Sequence, residues 1–189
     1  KKLLLFGAFG GTSDYRKGGD LLFEALSILK TICKKDLSEN IELVIFGENK
    51  EKGLPKINFK VHQMGHIKND EILKLLYNSC ELFVLPSRQD NLPGTGIESH
   101  ACGTPVVAFN IGGLSDIIED KKTGSLAIPF DSLSLANEIY WSIENDERNK
   151  FLKKNARTKA LNIWDEKKVS KIYADFYHEI HNINRNLKM

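Results

Sequence analysis

Apolar residues fall along this chain in two alternating patterns. Short runs, apolar at consecutive positions, occupy residues 2–7, 41–46, 81–85, 105–109 and 125–128 and predict strands. A strand apolar on both faces is one covered on both faces. Residues 59–64, ended by Gly65, predict a further short strand. Between the runs, apolar residues recur every three or four positions, the spacing of a helix face. Residues 20–31 carry Leu21, Leu22, Ala25, Leu26, Ile28 and Leu29 in this way, and residues 70–77 are expected to turn Ile72, Leu73, Leu75 and Leu76 inward. Further helices are predicted at 94–102, 133–143, 146–163 and 166–183, with a short one at 112–118 after a Gly-Gly turn. The last long helix aligns Val169, Ile172, Tyr173, Phe176, Tyr177, Ile180 and Ile183 on one face. That stripe reads as packing, and Trp164 as the anchor of the bend before it.

Strands alternating with helices predict an α/β domain: a parallel, Rossmann-like sheet with helices on both faces, formed by residues 1–189 as one unit. Ligands of such sheets bind beyond the carboxyl ends of the strands. The loops that matter are therefore 8–19, 47–50, 65–68, 86–95 and 109–113.

A length of 189 residues is ample for one buried core. The 27 basic and 25 acidic residues leave a net charge of +2, and no basic block points to nucleic acid. No apolar run approaches the 18 or so residues of a membrane span. Cys33, Cys80 and Cys102 have neither metal-ligand nor CxxC spacing, which predicts buried, reduced thiols and a cytosolic setting. Lys1 leads almost at once into a strand, which gives the expectation of a fragment lacking a preceding segment.

Candidate chemistry concentrates in residues 86–105, PSRQDNLPGTGIESHACGTP. This segment leaves a strand and enters a helix near Gly94 or Thr95, so the amides of Gly94, Thr95 and Gly96 form an anion site at the helix start. Asp90 precedes the helix and Glu98 is read as a first-turn acid eight positions later, both at exposed positions. Carboxylates beside a phosphate site make sense when they accept bonds from hydroxyls. The arrangement suits a sugar–diphosphate–ribose ligand. Taken by itself it equally fits the plainer account, in which Asp90 is a turn residue and Glu98 a dipole-favoured acid.

The segment continues as VVAFNIGGLSDII and resembles the signature of retaining glycosyltransferases of the GT-B fold. The similarity is to the large family that includes bacterial polysaccharide and lipopolysaccharide transferases, sucrose-phosphate synthases and phosphatidylinositol mannosyltransferases. That family carries an acid, seven residues, then Glu, before a small-residue helix and a GTPVVA-type strand; here these are Asp90, Glu98 and the ACGTPVVA of residues 101–108. The resemblance runs in order from Lys2 to about Tyr177 and implies the C-terminal half of the fold. It implies that Lys17 of the RKG triplet neutralises the donor diphosphate, with Arg16 beside it. It places Gly47, His66 and Ile67 near the nucleobase, and Gly112 and Gly113 near the donor sugar and phosphates. His66 reads equally as a loop-surface residue. Two departures stand out. The first acid is usually Glu, and the usual Phe-Gly pair after it is Leu92-Pro93. Proline has no N–H, so Asn91, Leu92 or Gly94 must supply any amide contact made there. The additional basic residue common after the first strand is replaced by Ala8. Ser87 and Arg88 flank the site without an assigned role.

What the resemblance implies is a domain that binds a UDP- or GDP-sugar and transfers a hexose with retention to a glycan or lipid-linked acceptor, in bacterial surface polysaccharide synthesis. Lys17, Asp90 and Glu98 carry the chemistry, and neither metal nor other cofactor is expected. The implied partners are the nucleotide sugar, the acceptor and an N-terminal domain of the same chain, reached by a crossing helix over residues 164–189 whose apolar stripe is expected to be exposed in part without that partner. The implied setting is the cytoplasm, with peripheral association at the inner face of a membrane. A non-catalytic nucleotide-sugar-binding module, a sugar-nucleotide epimerase of the same fold and a plain interaction domain are the rival readings.

Overall fold

A computed structural model describes residues 1–7, 12, 14–47, 54 and 57–186. Ala8, most of the glycine-rich stretch after it and residues 48–53 lie outside the described residues, so those parts of the first and second loops are not placed.

Six strands form one parallel sheet: β1 (Lys2–Gly7), β2 (Ile41–Phe46), β3 (Lys60–Gly65), β4 (Leu82–Leu85), β5 (Val106–Phe109) and β6 (Gly124–Ala127). Their order is β3-β2-β1-β4-β5-β6. From β1 the chain first builds outward through β2 and β3, then returns to β4 on the other side of β1. The switch point between β1 and β4 is where such a sheet opens a crevice at the carboxyl ends.

Alternate residues of each strand face opposite layers. Leu4, Phe6, Leu43, Ile45, Val84 and Phe109 face one core, closed by α1 (Gly19–Ile32) and α6 (Ser132–Ile143). Leu5, Val44, Phe46, Phe83, Leu85 and Ala108 face the other, with Tyr77 of α3 (Asp70–Ser79) and the short α5 (Leu114–Ile117). Against this second layer also lie α4 (Gly94–Ala101) and, through Trp164 at its end, α7 (Asp146–Ile163). The anchoring role read for Trp164 agrees with this packing.

Two details differ from the sequence reading. A four-residue helix, α2 (Lys35–Ser38), stands where no element is expected. In α3 the inward face is Leu73, Leu76 and Tyr77, continued by Cys80 just past its end, whereas Ile72 and Leu75 are exposed. The apolar run of α3 allows either stripe; Tyr77 decides, because its ring fits edge-on against Phe46 at 5.8 Å and Phe83 at 5.6 Å. On α8 (Glu166–Asn186) the stripe is exposed, as expected for part of it where the helix lacks its partner domain: Ile172, Tyr173, Phe176 and Tyr177 are all more than half exposed.

Cys33 and Cys80 are buried, and burial pushes their thiols up to about 11 and about 12. Among the described residues no helix is long and apolar enough to cross a membrane.

Candidate functional site

The loop after β1 ends in a single 3-10 turn, Tyr15–Lys17. Asp14 caps it by accepting the Arg16 amide at 3.0 Å. Gly18 then reverses the backbone at φ +67°, where a Cβ would lie 1.8 Å from the carbonyl oxygen of Pro86. Only glycine lets this turn rest on the first residue beyond β4. The contact aims Lys17 across the switch point. Its Nζ lies 2.8 Å from Asp90 Oδ2, and the buried Ser87 hydroxyl donates to the same oxygen at 3.1 Å. Asp90 is therefore not the exposed turn residue expected from the sequence: its side chain is 14% exposed, and that of Lys17 is 24% exposed.

Arg16 points elsewhere. Its guanidinium holds Asp14 through Nε at 3.2 Å and Nη2 at 2.7 Å and stands well out in solvent. The structure does not bring it alongside Lys17 as a second cation over Asp90. Arg88 instead spans the two loops. Its amide donates to the Arg16 carbonyl at 2.7 Å, and its guanidinium grips Asp20 through two bonds of 2.6 Å.

Helix α4 begins after Pro93, in extended conformation. The Gly94 and Thr95 amides have no protein acceptor among the described residues, as the first amides of a helix should not. Gly96 differs from the expectation: its N–H goes to the Pro93 carbonyl at 3.0 Å and it is buried, because the helix lies close upon Leu85 and Ile117. Glu98 is likewise displaced from the first turn read in the sequence; it is the fifth residue of the helix. Side chains lean toward a helix N-terminus, and Glu98 Oε1 stands 3.8 Å from where a Cβ on Gly94 would lie. The Tyr77 hydroxyl donates to Glu98 Oε2 at 3.2 Å. Burial, and secondly the charge of Glu98, push the Tyr77 phenol far up, so it remains a donor. Glu98 lines a groove of about 690 Å³ between α3 and α4, to which α7 contributes Arg157. Asn91 and Leu92 are exposed at the mouth of the loop.

Gly112 and Gly113 make a close approach, though to protein. A Cβ on Gly112, at φ +49°, would stand 2.1 Å from the Asp90 carbonyl oxygen, and one on Gly113 2.0 Å from that of Asn91. The turn after β5 is thus the floor on which the Asp90 loop lies. Gly47 and His66–Ile67 sit beyond β2 and β3, farther along the same sheet edge. The Gly47 amide bonds the Gly65 carbonyl at 2.9 Å, His66 is exposed, and Ile67 packs against the second core. Among the described residues no group of three His, Cys, Asp or Glu side chains is placed to hold a metal ion.

Residues 6–159 match the family described as Glycosyl transferases group 1. The chain belongs to this family. An uncharacterized glycosyltransferase of Methanocaldococcus jannaschii is 30% identical over 158 residues, covering 80% of this chain and 42% of that protein. Sucrose-phosphate synthase of Thermosynechococcus elongatus has the same fold, with TM-score 0.77 and 22% identity over 97% of this chain and 46% of its own. Anabaena HepE, solved in complex with UDP-glucose, gives 0.75 and 21% identity over 94% of this chain and 48% of its own. The chain thus spans about two fifths to one half of these three proteins, and its sheet is that of the C-terminal half of a GT-B glycosyltransferase.

Three residues around the group 1 signature escaped the sequence reading as participants. Ser87 is a hydroxyl at the end of an apolar strand, three residues before an acid, a spacing at which it can hold the carboxylate. Tyr77 carries a phenol at a core position of α3, and a buried phenol needs an acceptor. Arg88 gave no signal, since Asp20 is far from it in sequence.

Proposed function

We propose that this glycosyltransferase chain binds a nucleotide-diphosphate sugar at the β1–β4 switch point and serves a retaining hexosyl transfer to a glycan or lipid-linked acceptor. The observation that carries the reading is the meeting of Lys17 and Asp90 beside the open amides of Gly94 and Thr95. An ammonium and two helix-start amides suit a diphosphate, and carboxylates beside them suit hydroxyls. Lys17 leaves Asp90 for the diphosphate and stabilises its charge as the glycosidic bond to it breaks. Asp90 then accepts from hydroxyls of the sugar through Oδ1, for which the described residues supply no hydrogen-bond donor. Glu98, held by Tyr77, accepts from the ribose hydroxyls. The base lies toward Gly47 and His66–Ile67.

An N-terminal domain of the complete enzyme supplies the acceptor site, and the exposed stripe of α8 is part of the crossing to it. The setting is bacterial surface polysaccharide synthesis at the cytoplasmic face of the membrane. That HepE was solved with UDP-glucose supports a nucleotide-sugar ligand. Calorimetric titration of the chain with UDP, GDP and ADP, each with and without its sugar, tests the proposal. One base binds, the sugar adds an increment, and a chelator changes nothing. Absence of binding by every nucleotide overturns it, as does loss of affinity on chelation for the metal-independent part.

A further inference from the structure

We infer that Arg88 is a positioning residue: it locks the Tyr15–Lys17 turn to the loop after β4 so that Lys17 faces the diphosphate subsite, and it does not itself bind the ligand. The inference rests on the diphosphate role proposed for Lys17, yet its geometry is independent of that role.

Arg88 touches Tyr15 and Arg16, the two residues of the turn before Lys17, and Asp20 just after it. Its amide donates to the Arg16 carbonyl at 2.7 Å, joined by the Gln89 amide at 3.4 Å. Its Nη1 donates to the Tyr15 carbonyl at 3.0 Å and to Asp20 Oδ1 at 2.6 Å, and its Nη2 donates to Asp20 Oδ2 at 2.6 Å. The guanidinium lies over the Tyr15 ring, its Cζ 4.0 Å from the centroid. One side chain thus grips the start of α1, through Asp20 in its first turn, and the backbone of the turn just before it.

The chemistry of the group explains why arginine serves here. A planar fork can bind a carboxylate with two parallel bonds, reach a carbonyl with a further N–H and stack on a ring at once. A lysine ammonium cannot do all of these. The clamp also removes Arg88 from competition for phosphate. Its charge is matched by Asp20, and its side chain is only 16% exposed. The guanidinium holds the Asp20 carboxyl below its ordinary range, so the pair persists into mildly acidic solution. Lys17, in contrast, shares a 14%-exposed carboxylate with Ser87 and remains the cation that a ligand can draw away.

The test is a double-mutant cycle on the chain, read by calorimetry with UDP and, separately, with uridine. Lys17→Ala and Arg88→Ala each lower UDP affinity, the second by roughly tenfold, a size usual for coupling through shared partners. The double variant binds UDP no more weakly than Lys17→Ala, and uridine affinity is unchanged throughout. Arg88→Lys behaves as Arg88→Ala. Additive losses would show that Arg88 contacts phosphate itself and overturn the inference, as would full UDP affinity in Arg88→Lys. An equal fall for uridine would show general damage and count against it too. A second cycle needs no ligand: the melting-temperature coupling between Lys17→Ala and Asp90→Ala is present with Arg88, at roughly 2–4 °C, and absent in Arg88→Ala. If the chain binds no nucleotide the diphosphate proposal fails, and this second cycle still decides whether Arg88 sets Lys17 against Asp90.

Discussion

Lys17 Nζ lies 2.8 Å from Asp90 Oδ2, though 73 positions separate the two residues. The topology makes this possible. β1 and β4 are hydrogen-bonded neighbours with a common direction, so the loops that leave them emerge side by side. In the structure each ion is the other's partner. A bound diphosphate offers Lys17 a denser negative charge than one carboxylate, so the pair exchanges instead of dissolving into water.

Lys17→Ala is therefore expected to weaken UDP binding about tenfold to a hundredfold, from the loss of a charge-assisted contact worth roughly 1.5–3 kcal/mol. Uridine, which lacks phosphate, should bind the variant and the parent alike. Calorimetry with both ligands checks this. Equal UDP affinity in the two proteins would make Lys17 a structural cation only.

Alanine at two glycines should act in opposite directions. Gly112→Ala drives a Cβ to 2.1 Å from the Asp90 carbonyl oxygen at a positive φ, and the neighbouring atom is backbone. A loss of roughly 1–3 kcal/mol is expected, together with weaker sugar binding as the Asp90 loop lifts. Gly94→Ala meets nothing nearer than Glu98 Oε1 at 3.8 Å and sits inside a helix start. It should be neutral or stabilise by about 0.4–1 kcal/mol through the unfolded chain. Thermal unfolding of the two variants distinguishes a glycine needed by its neighbour from one that is merely present.

The same contrast explains how far the sequence could be read. Strands apolar on both faces and helices of fixed spacing leave little freedom in topology, so the parallel sheet and the loops at its carboxyl edge were legible. So was the grouping of Lys17 with the 86–95 segment, through the family signature. Side-chain direction was not. Nothing in the order of residues says that Arg16 turns to Asp14 while Lys17 turns to Asp90, because that choice is made by Gly18 resting on Pro86. Nor does it show that Gly112 and Gly113 approach the Asp90 loop. Their partners come from another element, and only the folded packing brings the two together.

Acid should reveal His100. Its ring is fully enclosed on α4, and among the described residues neither nitrogen has a hydrogen-bond partner. Burial first, and the Lys159 ammonium of α7 second, hold its pKa down at about 4. Between α5 and β6, Glu119 and the Thr123 backbone favour the proton without offsetting this. The folded value lies below the ordinary 6.5, so the unfolded chain binds the proton first. Stability is full above about pH 6.5 and declines as pH falls toward 4, by about 2 kcal/mol at pH 5. His100→Leu removes that slope, whereas the carboxylates titrate alike in both proteins. Urea titrations from pH 7.5 to 4.5 should show the variant gaining on the parent steadily below pH 6.5. Parallel curves would mean the ring is solvated or paired in the fold.

The two acids should separate most sharply of all. Glu98 is assigned to the ribose, which every nucleotide carries, so Glu98→Gln should lower affinity for UDP and for the UDP-sugar by the same factor. Gln is preferred to Ala because it leaves the buried Tyr77 hydroxyl an acceptor; without one, an orphaned donor costs roughly 1–3 kcal/mol and would confuse the reading. Asp90 is assigned to the transferred sugar, so Asp90→Ala should abolish only the increment the sugar adds. The ion pair sharpens this expectation. Removing Asp90 frees Lys17 from this ion pair, so bare UDP should bind Asp90→Ala as tightly as the parent, or more tightly. If Asp90 and Glu98 are only a turn residue and a helix acid, neither variant changes any affinity. If Asp90→Ala loses bare UDP while Glu98→Gln keeps it, the two roles are exchanged. If both variants lose UDP and its sugar equally, the two acids serve one subsite, and the sugar is held elsewhere on the carboxyl edge of the sheet.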